Sequence, residues 1–193
     1  MTAIEDIIKQ IRTNISDTDK VGYSDEELLQ WINEANAYLR KTVMQYKPNL
    51  LYKRESGEGQ IKLSEIPMKV HAVYADGTAM IYRATLPRDI KEASPVEYYR
   101  LGQDIFLYPE PLKTTQWMVI YAPVQSVYTL DGKLDWVHDF DYVIIEYATI
   151  RAQYRNEFMM GQEEELLSTL TQQIITMIAS MDNKKMIMEG YWQ

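Results

Sequence analysis

Residues 23–35 read YSDEELLQWINEA. Ser24 and Glu27 have the spacing of a reciprocal capping box, and Tyr23 just before the cap can staple onto Leu28, so a helix starts here. Its apolar stripe continues through Ile32, Ala35, Leu39 and Val43, the three- and four-residue spacing of a helix that buries one face. Pro48 disfavours helix at Lys47 and predicts the end there. Upstream, Ile4, Ile7, Ile8, Ile11 and Ile15 mark a shorter amphipathic helix, with Thr2 and Glu5 as its expected capping pair.

Downstream of Leu50 the pattern changes to short β-rich runs at residues 61–63, 70–74, 80–84, 105–108 and 117–121, the mark of a β lobe. Asp76 and Gly77 suit a type I′ hairpin, while Gly57, Gly59, Pro67, Pro87, Pro109 and Pro111 punctuate further turns or edges. Ser94, Pro95 and Glu97 supply a cap, a first-turn proline and a capping-box partner, which predicts a short helix over residues 96–100.

Helical periodicity returns after the Asp131–Gly132 turn, with Phe140, Val143, Ile144, Tyr147, Ile150, Tyr154 and Phe158 forming a broad apolar face. Gly161 ends or kinks this third helix. Glu163, Glu164 and Glu165 suit the positive start of a fourth, whose stripe is Leu167, Leu170, Ile174, Met177, Ile178 and Met181. Lys184 and Lys185 suit its negative end, which the spacing puts by Asn183. The expected class is α+β, a four-helix bundle with a small β lobe, an antiparallel sheet or sandwich, inserted between helices two and three. The expected boundaries are residues 1–49 and 133–184 for the bundle, 50–132 for the insertion and 185–193 for a short C-terminal tail.

Composition narrows the function. Of 193 residues, 46% are hydrophobic and 25% charged, which places the chain among globular proteins. The absence of cysteine removes disulfides, thiolate zinc sites and cysteine nucleophiles, and fits a protein made in a reducing cytoplasm. Residues 1–15 mix charges with isoleucines, and no apolar run is long enough to span a bilayer, so neither secretion nor membrane insertion is expected. A net charge of −8 argues against a protein whose task is to grip nucleic-acid phosphates. Fifteen tyrosines, eleven methionines and four tryptophans are side chains enriched in both cores and protein contact surfaces.

Motifs for catalysis are weak. His71 falls in an expected strand. His138 lies near Asp135, Asp139 and Asp141 and is the one metal-site candidate, although capping and the helix dipole explain the same acids. Gly57 and Gly59 lack the lysine and hydroxyl of a phosphate-binding loop. Ser64 and Ser94 lack a nucleophile-elbow pattern. Asp25 with Glu26 and the run Glu163 to Glu165 fit first helical turns. The tail, MIMEGYWQ at 186–193, combines methionines with a Tyr and Trp pair and suits docking into a groove on another subunit.

The order of these features, with YSDEELLQWINEA at 23–35, YYRLGQDIFLYPEP at 98–111 and WMVIYAPV at 117–124, resembles the head-to-tail adaptor (connector) proteins of tailed bacteriophages. The β insertion is similar to that of podovirus gatekeeper or tubular-tail-like adaptors. The resemblance implies a virion protein of the neck, made in the host cytoplasm, without catalysis or cofactor. It implies a dodecameric ring of copies of itself between the portal protein and tail or neck proteins, with DNA passing through the lumen without specific binding, and no membrane. Portal contact would fall on Met186, Ile187, Met188, Tyr191 and Trp192. The other readings are a different neck or tail-completion protein, or a small cytoplasmic metal-binding protein or enzyme centred on His138.

Overall fold

The computed structural model describes residues 2–85, 95–125, 127–136, 140–154 and 160–189, the last of these with side chains for 164–181. The chain is α+β, with four α-helices and both antiparallel and mixed sheets among the described residues. It divides into two compact units, one of Met1–Lys47 with Ser126–Gln193 and the other of Pro48–Gln125.

In the helical unit, α1 (Ile4–Asn14) buries Ile4, Ile7, Ile8 and Ile11. Removing each such side chain from water is worth about 1.5–3 kcal/mol, which fixes the rotation of the helix. Its start differs from the capping-box expectation. The N-cap is Ala3, with no side-chain cap, and the Thr2 hydroxyl donates to Asp141. The backbone takes over the pinning: Ile4 N–H donates to Gly132 O at 3.1 Å and Leu134 N–H to Thr2 O at 2.9 Å. A partner 139 residues away thus outcompetes the local cap.

The second helix, α2 (Asp25–Tyr46), has the expected Ser24–Glu27 capping box and stops at Lys47 before Pro48. The Tyr23 ring meets Trp31 edge-on at 5.5 Å, and its hydroxyl donates to Ala152 O. α3 (Asp141–Tyr154) packs against α1, α2 and α4 (Met160–Glu189). In α4 the fully inward stripe is Leu170, Ile174 and Ile178. The helix does not end by Asn183. It runs on to Glu189, because no glycine or proline interrupts residues 162–189, so Lys184 and Lys185 lie within it.

The β unit begins with a 3-10 turn (Pro48–Leu51) and holds two sheets among the described residues. The first orders β1 (Lys53–Glu58), β7 (Gln116–Pro123), β2 (Pro67–Ala75) and β3 (Thr78–Ala79), all antiparallel. The second orders β4 (Ile81–Tyr82), β5 (Glu97–Leu101) and β6 (Asp104–Tyr108), with β4 parallel to β5. They share a core that includes Val73, Tyr98, Leu107, Trp117 and Tyr121. The Arg100 guanidinium ties β5 to the first sheet by donating to Pro67 O at 2.5 Å and Met68 O at 3.3 Å.

Asp76 and Gly77 form the expected hairpin with φ of 47° and 77°. Two local readings are overturned. Residues 97–101 are a strand instead of a helix, since Tyr98 packs inward and both flanks pair with neighbours. Residues 61–63 form no strand, although Ile61 and Leu63 still pack against the core. Ser94 lies outside the described residues.

Candidate functional site

Polar residues of α2, with Asn36 buried and Asn33 and Arg40 half-buried, organise the helical unit. Asn33, Asn36 and Arg40 lie three, then four, residues apart and share one side of the helix. Asn33 Oδ1 accepts the Tyr128 N–H at 2.7 Å, and its Nδ2 donates to Tyr128 O at 3.3 Å. This side chain therefore reads the backbone of the segment that precedes α3. Tyr128 OH donates to Asp135, which also takes Arg40 Nη2 at 2.5 Å. Burial, reinforced by the Asp135 hydrogen bond, holds the Tyr128 phenol well above its usual range. The Arg40 guanidinium lies 5.4 Å from the Trp136 ring centroid, and Trp136 Nε1 donates to Asn36 Oδ1 at 2.8 Å. The arrangement is a latch between α2 and the 128–136 segment.

A second polar knot closes the loop between α1 and α2. Arg12, 3% exposed, pairs with Asp17 at 2.5 Å and with Asp25 at 2.7 Å, and donates to Tyr23 O at 2.9 Å. Asp17 Oδ1 also accepts the Val21 and Gly22 amides. The Gly22 amide, aided by the Arg12 charge and opposed by burial, keeps the Asp17 carboxyl below its ordinary range. The hydrogen bond from Arg12 does the same for Asp25. Asp25 is therefore more than a first-turn acid favoured by the helix dipole.

In the β unit Glu55 accepts from the Ser64 hydroxyl at 2.5 Å, from the Ser64 amide at 2.9 Å and from Tyr121 OH. Burial raises the Glu55 carboxyl, but these three donors outweigh it and leave it below its ordinary value. Burial and the bond to Glu55 push the Tyr121 phenol up to about 12. Ser64 is thus a ligand of a structural carboxylate.

Of the residues singled out as a metal-site candidate, the structure describes Asp135 and Asp141. His138 and Asp139 lie outside the described residues. Asp135 is engaged by Arg40 and Tyr128, and Asp141 by Thr2. Among the described residues no three His, Cys, Asp or Glu side chains could share a cation. His71 stacks on Tyr52 with centroids 4.7 Å apart. Of the tail residues, Met186, Ile187 and Met188 fall in the last turns of α4, whereas Tyr191 and Trp192 lie outside the described residues.

What remains prominent is surface suited to contact. Ile81 is 69% exposed and Leu101 58%, and Tyr82, Val96 and Leu112 are also open, all in the β unit. Exposed apolar side chains in such number mark interaction surface when they cluster. No helix among the described residues is long and apolar enough to cross a membrane.

Sequence reading missed the buried cation and amides, although their spacing carried a signal. Arg12 continues the Ile4 and Ile8 row at four-residue steps, and Asn36 follows Ile32 in the same way. A polar residue on an apolar row must find partners, and the acids at 17 and 25 were within reach.

No curated protein matches the chain. The sequence profile of the SU10 adaptor protein family matches residues 2–188, spanning both compact units. That span covers nearly every residue discussed above, including the helix start at Ser24, the Asn33 latch, the paired strands β5 and β6 and all but the end of α4, and so the chain belongs to the SU10 adaptor protein family, a family of phage head-to-tail adaptors.

Proposed function

We propose that the chain joins the portal to the tail of a phage particle, assembling as a dodecameric ring in the neck and continuing the channel through which DNA passes. The family match over residues 2–188 carries this reading. The helices act as a four-helix bundle, and the β unit, inserted between α2 and α3, offers a separate surface to tail or neck proteins. Two units of different chemistry suit a protein that must meet different partners on its two sides. The net charge of −8 is compatible with a lumen that repels phosphates within about 8 Å at physiological salt. The role is structural, without a catalytic step or cofactor.

Portal contact falls on Met186, Ile187, Met188, Tyr191 and Trp192. The extension of α4 to Glu189 supports a helical latch, with the methionines as adaptable contacts. Co-sedimentation of the chain with purified portal rings tests this, using the full chain and a chain lacking residues 186–193. The full chain is expected to pellet with portal and the shortened one to stay in solution. Equal pelleting would remove the contact from the C-terminal end, and binding to tail protein with none to portal would favour another neck or tail-completion role.

A further inference from the structure

Among the described residues strand β6 is an edge strand whose outward backbone has no strand partner. The Tyr98 carbonyl accepts the Arg83 N–H at 2.7 Å, so Tyr98 faces β4, and its neighbours Glu97 and Tyr99 face β6. Their register partners Tyr108 and Phe106 therefore direct their N–H and C=O groups to β5. By alternation, Ile105 and Leu107 direct theirs away from the sheet. Among the described residues β6 has no other strand neighbour, and these outward groups have no backbone partner.

A groove follows this edge. One cavity of 550 Å³ lies between residues 104–108 and residues 60–62, and a second of 360 Å³ continues between 103–105 and 61–67. Five consecutive residues of β6, whose side chains alternate between faces, all line the first cavity. Space beside the strand reaches all five, and the cavity continues over the face that carries Phe106 to meet Tyr99 of β5. The groove walls are apolar at Ile61, Phe106 and Pro111, and Phe106 is braced by Tyr99, stacked on it at 5.2 Å.

Charge defines the occupant. Asp104, which opens β6, and Glu110, two residues beyond its end, both line the first cavity, and no ion pair is formed by either among the described residues. Lys62 is the one cation in that lining. An acidic rim around an unpaired edge selects for a basic strand.

We propose that the β6 edge receives an extended segment of a partner protein by strand addition, about five residues long, apolar at alternate positions and carrying lysine or arginine at its ends. A five-residue strand at about 3.4 Å per residue matches the length of β6. The new strand would pair with Ile105 and Leu107 and place its inward side chains against Ile61. This inference rests on the β unit alone and stands apart from the ring and portal reading.

Hydrogen–deuterium exchange on the full chain tests it, with millimolar Ac-KVTVTVK-NH2 as probe, its charge-reversed counterpart Ac-EVTVTVE-NH2, and a version with proline at the central position. The expected result is protection of the Ile105 and Leu107 amides by the lysine peptide, weaker protection by the glutamate peptide and none by the proline peptide. Substituting Asp104→Asn and Glu110→Gln together, both at the surface, is expected to weaken the lysine peptide about fivefold. Unchanged exchange with the lysine peptide, or equal protection by all three, would overturn the proposal. Protection that grows with protein concentration in the absence of peptide would also overturn it and give the edge to a second copy of the chain.

Discussion

Asn33 pairs its side-chain amide with both backbone groups of Tyr128, 95 residues further on. The contact fixes where the chain leading to α3 lies against α2. Because Asn33 supplies both an acceptor and a donor, Asn33→Leu leaves the Tyr128 N–H and C=O without their partner. The expected cost is about 1–3 kcal/mol, read as a fall of several degrees in Tm. Asn33→Asp keeps the acceptor, loses the donor and should fall between wild type and Asn33→Leu. Equal thermal unfolding of all three proteins would show that the latch is not stabilising.

The Arg12 knot predicts both a mutational and a pH effect. Arg12→Met leaves Asp17 and Asp25 without their shared cation, and a fall in Tm on the order of 10 °C is expected. Both carboxyls lie below the ordinary value of 3.8 in the folded chain. Their contribution is therefore fully present above about that pH and is lost as pH falls through the depressed folded values. Chemical denaturation from pH 6 downward should show this loss. It should be shallower in the Asp17→Asn, Asp25→Asn double variant, which starts from lower stability.

Gly57 stands opposite Trp117 in the β1–β7 register, and a Cβ there would lie 2.6 Å from the indole ring. The ring is buried and cannot swing clear without disturbing the β core. Gly57→Ala is expected to cost about 1–3 kcal/mol and to alter the near-ultraviolet circular dichroism of the tryptophan. An unchanged Tm and spectrum would mean that β1 moves aside without strain.

Much of this was legible in the sequence where the signal is local. The isoleucine row of α1, the Ser24–Glu27 box and the Asp76–Gly77 hairpin need only neighbours within a turn or two, and the structure has all three. What was misread depended on distant partners. Ser94, Pro95 and Glu97 mimic a helix start, yet pairing with β4 and β6 makes residues 97–101 a strand. KRESGE at 53–58 has no apolar alternation, and its strand character comes from pairing with β7. Thr2 looked like a cap but bonds to Asp141. Of the candidate sites, the latch residues lay on readable rows, whereas the groove exists only because residues 60–62 come to lie beside β6, an edge strand among the described residues.

Removal of residues 186–193 should leave the helical unit folded. The inward stripe of α4 among the described side chains ends at Ile178, well before the cut. A change of about 2 °C or less in Tm is expected, since the buried stripe of α4 among the described side chains is kept whole. A large fall in Tm would place the C-terminal end in the protein's own core and remove it from portal contact.

Electron microscopy of the purified chain mixed with intact portal rings, beside portal alone, tests the central claim most directly. The account predicts an added ring of density below the portal, with an open channel along its axis and twelve copies of the chain around it. Portal rings that remain bare at saturating concentrations of the chain would contradict it.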